Sequence, residues 1–198
     1  MSIDPALSEA ALAALFQEAR TQNAWAERPL PAGTAERLWD AVKMGPTSAN
    51  CLPGRLLFIE SPAAKARLEP LMSSGNRAKT MAAPMTVIVC QDMAFYDKLP
   101  ELFPHVDARP WFTGSPEKIR DTAARNSTLM GGYLILAARA MGLDCGPMSG
   151  FDAAGVAREF LDGTGWEPNF MVNIGYGDPA GVQARLPRLA FADACRIL

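Results

Sequence analysis

Few side chains in this 198-residue chain have types and spacings that could do chemistry on their own. Cys51, Cys90, Cys145 and Cys195 lie far apart and form no CxxC, so they read as scattered reduced thiols. His105 is the single histidine, which excludes a multi-histidine metal centre, and no metal site is expected. No Ser-His-Asp set or catalytic carboxylate pair stands out. Gly175-Tyr176-Gly177 follows an apolar run but lacks the third glycine of the dinucleotide fingerprint, and the Walker phosphate loop is missing. A nucleotide-like cofactor would have to be held by another device.

The elements that must position any site follow from periodicity and caps. A first helix is expected over residues 5–20, with Asp4 as cap, Pro5 in the first turn, and Leu12, Leu15, Phe16 and Ala19 on one face. A second should run from Ala35 to Met44, capped by Thr34 and stopped by Gly45-Pro46. Arg55 to Glu60 reads as a strand, and Ser61-Pro62 opens a third helix to about Met72. The continuous apolar run Met85 to Cys90 reads as a buried strand.

Residues 99–115 look irregular, rich in proline and aromatics, which suggests a functional loop or lid. Ser115-Pro116-Glu117 should start the longest helix, ending at Met141 with Gly142 as its stop. Its stripe of Ile119, Ala123, Met130, Tyr133, Leu134, Ala137 and Met141 suits the core or a dimer interface, and Gly131-Gly132 permits close backbone approach. Asn169 to Tyr176 is a third strand, and Phe191 to Leu198 a final helix. Few strands separated by helices give an α/β or α+β class, in one domain over residues 1–198.

Hydrophobic residues make up 49% and charged residues 20%, with a net charge of -2. That balance gives no electrostatic reason to expect nucleic acid or an anionic membrane as partner. No signal-peptide pattern and no membrane-length apolar run is visible, so a cytoplasmic location is expected.

Five segments then line up: Arg20 to Trp25, Gly45 to Asn50, Gly75 to Lys79, Gly146 to Phe151 and Arg185 to Arg188. Each is weak alone. In this order and spacing, over about residues 12–198, they resemble the nitroreductase family of flavoproteins, and Gly45–Asn50, Leu102–Phe112 and Gly146–Phe151 are most similar to its RutE branch. The resemblance implies an α+β sandwich with a mainly antiparallel central sheet flanked by helices. It also implies an intertwined homodimer with FMN at the subunit interface and NADH or NADPH as co-substrate. Ping-pong hydride transfer would pass through flavin N5.

On that resemblance, Arg20, with Thr21 and Gln22, and the pair Arg185 and Arg188 would hold the FMN phosphate, because a guanidinium fork gives paired charge-assisted bonds. Lys79 would stabilise the charge that builds at the pyrimidine edge on reduction, and Asn76 would bond that edge. Pro46, Thr47, Ser48 and Asn50 would reach the flavin held mainly by the other subunit. Pro147, Met148, Ser149 and Gly150 would form the opposite loop, with the Ser149 and Gly150 N–H groups directed at N5 and O4. Two departures are visible: Ala24 stands where the family has a lysine, and Ser149 where many members have glutamate.

For the acceptor, the RutE branch implies reduction of malonic semialdehyde to 3-hydroxypropionate in pyrimidine degradation. Arg109 is the candidate for the substrate carboxylate and His105 for the proton. Trp111 and Phe112 either shield the flavin or belong to the core. A broad nitroaromatic or quinone reductase, and a flavin-binding protein with little turnover, are the competing readings.

Overall fold

Strand β2, Met85–Asp92, is buried along its whole length, and the rest of the molecule is arranged around it. The computed structural model describes residues 7–198. Asp4 and Pro5, expected to open the first helix, lie outside the described residues. β2 pairs antiparallel with β1, Gly54–Ile59, on one side and with β4, Trp166–Gly175, on the other. β3, Asp144–Met148, pairs antiparallel with β4, so the order is β1-β2-β4-β3. The expected α+β fold with an antiparallel sheet between helices is the fold observed.

Alternation along β2 sends side chains to two faces. Met85, Val87 and Val89 join Leu38 and Val42 of α2 (Thr34–Val42) and Met130, Leu134 and Ala138 of α7 (Pro116–Ala140). Ile88 and Cys90 join Leu68 of α3 (Pro62–Leu68) and Val156 of α8 (Ala153–Phe160) on the other face. Each fully buried aliphatic side chain contributes roughly 1.5–3 kcal/mol. A third cluster of Cys51, Phe95, Leu99, Ala108, Phe112 and Ala123 packs beside the sheet.

Pro168 lies within a central strand, where a missing N–H is normally excluded. The register shift between Val89 and Cys90 absorbs it: Val89 faces Phe170, Cys90 faces Pro168, and Asn169 bulges out. Asn169 then donates to the hydroxyls of Ser127 and Thr128, both at 2.9 Å, and ties the sheet to α7.

Several boundaries differ from expectation. The first helix is short: α1 spans Glu9–Leu12, capped by Ser8, and a π-helical turn covers Ala13–Gln17. Leu12 and Phe16 on its expected inner face are exposed. Thr34 is inside α2, not its cap: its hydroxyl donates to the Pro31 carbonyl, and left-handed Gly33 makes the turn. α3 gives way to a 3-10 turn at Glu69–Leu71. α4, Ser74–Ala82, carries Asn76 and Lys79 on a regular helix. Residues 99–115 are not structureless: they hold α5, Leu99–Leu102, and α6, Pro110–Thr113. The C-terminal helix shrinks to one exposed turn, α9, Phe191–Ala194, because it has no packing partner among the described residues. The Ser115 cap and the Gly142 stop are as expected.

One buried polar network fixes the end of α4. Lys65 donates its ammonium to the Thr80 carbonyl at 2.8 Å and the Thr86 hydroxyl at 2.6 Å. Thr86 donates to Asn173 Oδ1 at 2.8 Å, and Asn173 Nδ2 donates to Thr80 Oγ1 at 3.2 Å. Burial pushes the Lys65 pKa down to about 8 from 10.5. The unfolded chain therefore binds more protons between those values, so stability rises with pH there. The penalty for a charged Lys65 is complete below about pH 8 and gone above about 10.5, and amounts to about 3 kcal/mol. Unfolding titrations of wild type and Lys65→Met should diverge across this window, wild type gaining relative to the variant. Parallel curves would show that Lys65 titrates as it does in the unfolded chain.

Candidate functional site

The segment after α1 runs along the free edge of β3. Thr21 bridges Cys145, and Gln22 donates its backbone N–H to the Cys145 carbonyl at 2.9 Å. The approach is so close that a Cβ on Gly146 would sit 2.5 Å from the Gln22 carbonyl oxygen, so only glycine fits. This pairing delivers Arg20 to a cavity of about 840 Å³. Its walls carry Arg20, Thr21 and Asn23 from the N-terminal segment and Gln183, Arg185 and Arg188 from the C-terminal one. The two segments lace together: Arg20 donates to the Gln183 carbonyl, and Arg185 to those of Gln17 and Ala19. Arg188 bonds the carbonyls of Leu186 and Pro187.

Arg139 of α7 also lines this cavity, and sequence reasoning passed over it. Within a helix its only signal was a charge amid apolar neighbours in the last turn. The lining residues include no acid, and none of the four guanidiniums is ion-paired among the described residues. Such a surplus of fixed positive charge suits an anion with several acceptor oxygens.

Beside the cavity the other expected residues follow one another. Lys79 donates to Asn23 Oδ1 at 3.1 Å, and its carbonyl accepts from Trp25 Nε1 at 2.9 Å. Asn76 donates to the Gly150 carbonyl at 3.0 Å, which also accepts from Ser73 N–H at 3.2 Å. Gln22 is buried, its side chain against Gly177 and its Oε1 unpartnered among the described residues. Gly146 to Gly150 is not wholly the expected loop: Pro147 and Met148 belong to β3, and only the exposed Ser149 and half-buried Gly150 turn away from it. An edge strand tolerates proline, which hid the strand in the sequence.

The Pro46–Asn50 loop stands apart, with no hydrogen bond to these residues among those described. Tyr133 donates to the Pro46 carbonyl at 2.8 Å, and Ser48 N–H donates to Asn126 Oδ1 at 2.9 Å. Thr47 Oγ1 accepts from Leu52 N–H at 3.1 Å, and Asn50 donates to the Leu102 carbonyl at 2.8 Å. Ala49, Asn50 and Leu52 have φ of 49°, 49° and 33°. Left-handed geometry at non-glycine residues costs roughly 1–3 kcal/mol each and is common where a loop must present itself to a ligand.

The Leu102 bond connects this loop to the aromatic stretch. There Leu99, Ala108 and Phe112 are core, whereas Trp111 is 47% exposed. His105 is exposed and packs edge-on against Phe103. Arg109 is gripped by Asp107 through two bonds of 2.8 and 2.9 Å.

The nitroreductase family pattern matches residues 17–176. The chain belongs to the nitroreductase family. A Burkholderia lata protein named "Putative NADH dehydrogenase/NAD(P)H nitroreductase" is 59% identical over 191 residues, covering 96% of this chain and 98% of that one. A Stenotrophomonas maltophilia protein of the same description is 56% identical over 97% of this chain and 98% of its own length. Among solved structures, an Exiguobacterium sibiricum nitroreductase described as "in complex with FMN" superposes with a TM-score of 0.83 at 21% identity, over 93% of this chain and 95% of that one. No helix among the described residues is long and apolar enough to cross a membrane.

Three of the four thiols are buried, which disfavours their nucleophilic thiolate form. Burial pushes Cys51 up to about 11 and Cys90 and Cys145 up to about 12, which holds them protonated. Cys195 alone is exposed. An aromatic disulfide reagent at pH 8 should modify one thiol quickly in the native protein and all four after denaturation. Rapid native modification of a second thiol would overturn this assignment.

Proposed function

We propose that this chain binds FMN between two copies of itself and uses NADH or NADPH to reduce a small electron-poor acceptor. The observation that carries the reading is the cavity of unpaired guanidiniums, whose wall residue Asn23 accepts a hydrogen bond from Lys79 of α4, the helix that also carries Asn76. Bound FMN would supply the hydride chemistry, accepting a hydride from the nicotinamide and passing it to the acceptor. The protein binds, orients and tunes. Arg20, Arg185 and Arg188 hold the phosphate by charge-assisted bonds, with Thr21 and Gln22 lying beside it. Lys79 sets positive charge, and Asn76 a donor, at the pyrimidine edge, where negative charge develops on reduction. The Ser149 and Gly150 N–H groups would donate to N5 and O4 of the ring, and Pro147 and Met148 hold that turn to the sheet.

The Pro46, Thr47, Ser48 and Asn50 loop reaches across to the flavin of the second copy. Supporting this pairing, α7 exposes Leu129 and, with Phe16, Gly132, Tyr133, Ile135 and Leu136, lines an apolar groove of about 580 Å³. A second copy is the natural cover for such a face. Arg20→Ala should cost about 1.5–3 kcal/mol, a loss of roughly 10- to 150-fold in FMN affinity. Purified wild type should show a flavin absorbance band that bleaches anaerobically with NADH or NADPH. A colourless protein that FMN cannot reconstitute would overturn the cofactor assignment.

For the acceptor we infer malonic semialdehyde, reduced to 3-hydroxypropionate in pyrimidine degradation. Aldehyde reduction adds a hydride to carbon and a proton to oxygen, and exposed His105 can supply the proton. Arg109 would read the substrate carboxylate after exchanging it for Asp107, and exposed pairs of this kind exchange readily. The exposed residues of 99–115, Trp111 among them, would act as a lid over the acceptor. The Arg109–Asp107 grip favours one alternative, a reductase of uncharged nitroaromatics or quinones that never calls on Arg109. Arg109→Ala separates the two. It should raise KM for the semialdehyde by roughly tenfold or more while leaving a quinone unaffected. Equal effects on both, or no semialdehyde turnover by the FMN-loaded wild type, would select the alternative.

A further inference from the structure

Arg139 is the penultimate residue of α7, and two of its interactions need explaining together. One guanidinium nitrogen donates to the Leu15 carbonyl at 2.9 Å, which fixes the side chain under the segment that presents Arg20. Its Nε is buried and has no acceptor among the described residues. A buried donor without a partner is costly unless something else satisfies it. Arg139 also lines the arginine cavity, where no acid stands. Five arginines outside the cavity are ion-paired, Arg55 with Asp92, Arg67 with Glu159, Arg109 with Asp107, Arg120 with Glu167 and Arg125 with Asp121, whereas Arg139 has no acid beside it among the described residues.

The position has an electrostatic meaning. The C-terminal end of a helix carries partial negative charge, which repels an anion brought near it. α7 is 25 residues long and its last turn borders the cavity through Arg139. A cation at that place reverses the local sign, and arginine cannot lose its proton to relieve its own burial.

We propose that Arg139 is a fourth phosphate-binding residue of this site, acting on the FMN phosphate from the end of α7. The proposal rests on the reading of the cavity as the FMN site. The test compares FMN with riboflavin, which has the same ring system and no phosphate, in titrations of the flavin-free full chain followed by flavin fluorescence. Arg139→Gln keeps a donor for the Leu15 carbonyl and removes the charge. FMN should bind roughly tenfold or more weakly, while riboflavin affinity changes less than about twofold. Equal losses for FMN and riboflavin, or unchanged FMN affinity, would reduce Arg139 to a clamp on the Leu15 carbonyl and overturn the proposal.

If the glutamine variant does not fold, Arg139→Lys gives the second reading, because a point charge replaces a planar fork. The preference for FMN over riboflavin should then fall severalfold, and an unchanged preference would overturn the proposal. Arg20→Ala in the same titrations keeps the two claims distinct. Loss of FMN preference in Arg20→Ala but not in either Arg139 variant rejects this proposal alone. Wild type that binds no FMN rejects the cofactor reading and this proposal with it.

Discussion

The bond from Gln22 N–H to the Cys145 carbonyl decides where the arginine cavity forms. β3 is one of the two outer strands of the sheet, and an open edge is both a loss of hydrogen bonds and an invitation to aggregate. The N-terminal segment closes that edge at Thr21 and Gln22, and Arg20 is placed as a consequence. The C-terminal segment is then drawn in. Trp25 bridges Gly177, Asp178 N–H donates to the Ala24 carbonyl at 3.0 Å, and Arg185 reaches back to Gln17 and Ala19. Two chain ends far apart in sequence thus build one pocket, and its cations are part of the lacing.

The chain manages its cations in two opposite ways. Lys65 is enclosed by Thr80 and Thr86, and its environment pulls it towards neutrality. It acts as a bracket for the end of α4, which carries Lys79. The cavity arginines cannot neutralise, so holding four together raises the energy of the empty pocket by mutual repulsion. Backbone carbonyls offset part of that cost: each of the four guanidiniums donates to at least one. Carbonyl dipoles orient a guanidinium without cancelling its charge, whereas a carboxylate would cancel it. The arrangement keeps the fork fixed and the field intact, which is what recognition of a dianion requires.

Much of this was legible in the sequence, and the exceptions have physical causes. β2 announced itself because a central strand is apolar on both faces. The Ser115 cap and Gly142 stop were readable because each solves a local problem of unpaired backbone groups. β3 was missed because Gly146 and Pro147 are turn residues by type; an edge position excuses the proline, and the close pass of Gln22 demands the glycine. Thr34 looked like a cap, but left-handed Gly33 turned the chain first. The individual site residues could be nominated from their resemblance to a family pattern. Their division into two groups was implied by the same resemblance, which gave the Pro46–Asn50 loop to the flavin of the other subunit. Arg139 was not nominated, because what marks it out is a neighbour 124 positions away, the Leu15 carbonyl.

That division gives α7 its part in the whole. Asn126 and Tyr133 anchor the strained Pro46–Asn50 loop, and Arg139 borders the arginine cavity. Asn126 and Arg139 are 13 positions apart on one uninterrupted helix, a separation of roughly 20 Å along its axis. A rod of that length keeps the loop and the cavity apart within one copy, as the hydrogen bonds already indicate. In the proposed pairing, the exposed face of the same rod meets its counterpart, and the loop of each copy is carried towards the cavity of the other. Helix length then sets the spacing of the two half-sites. The left-handed backbone at Ala49, Asn50 and Leu52 would be tolerated because the loop is held at Tyr133, Asn126 and Leu102 before any ligand arrives.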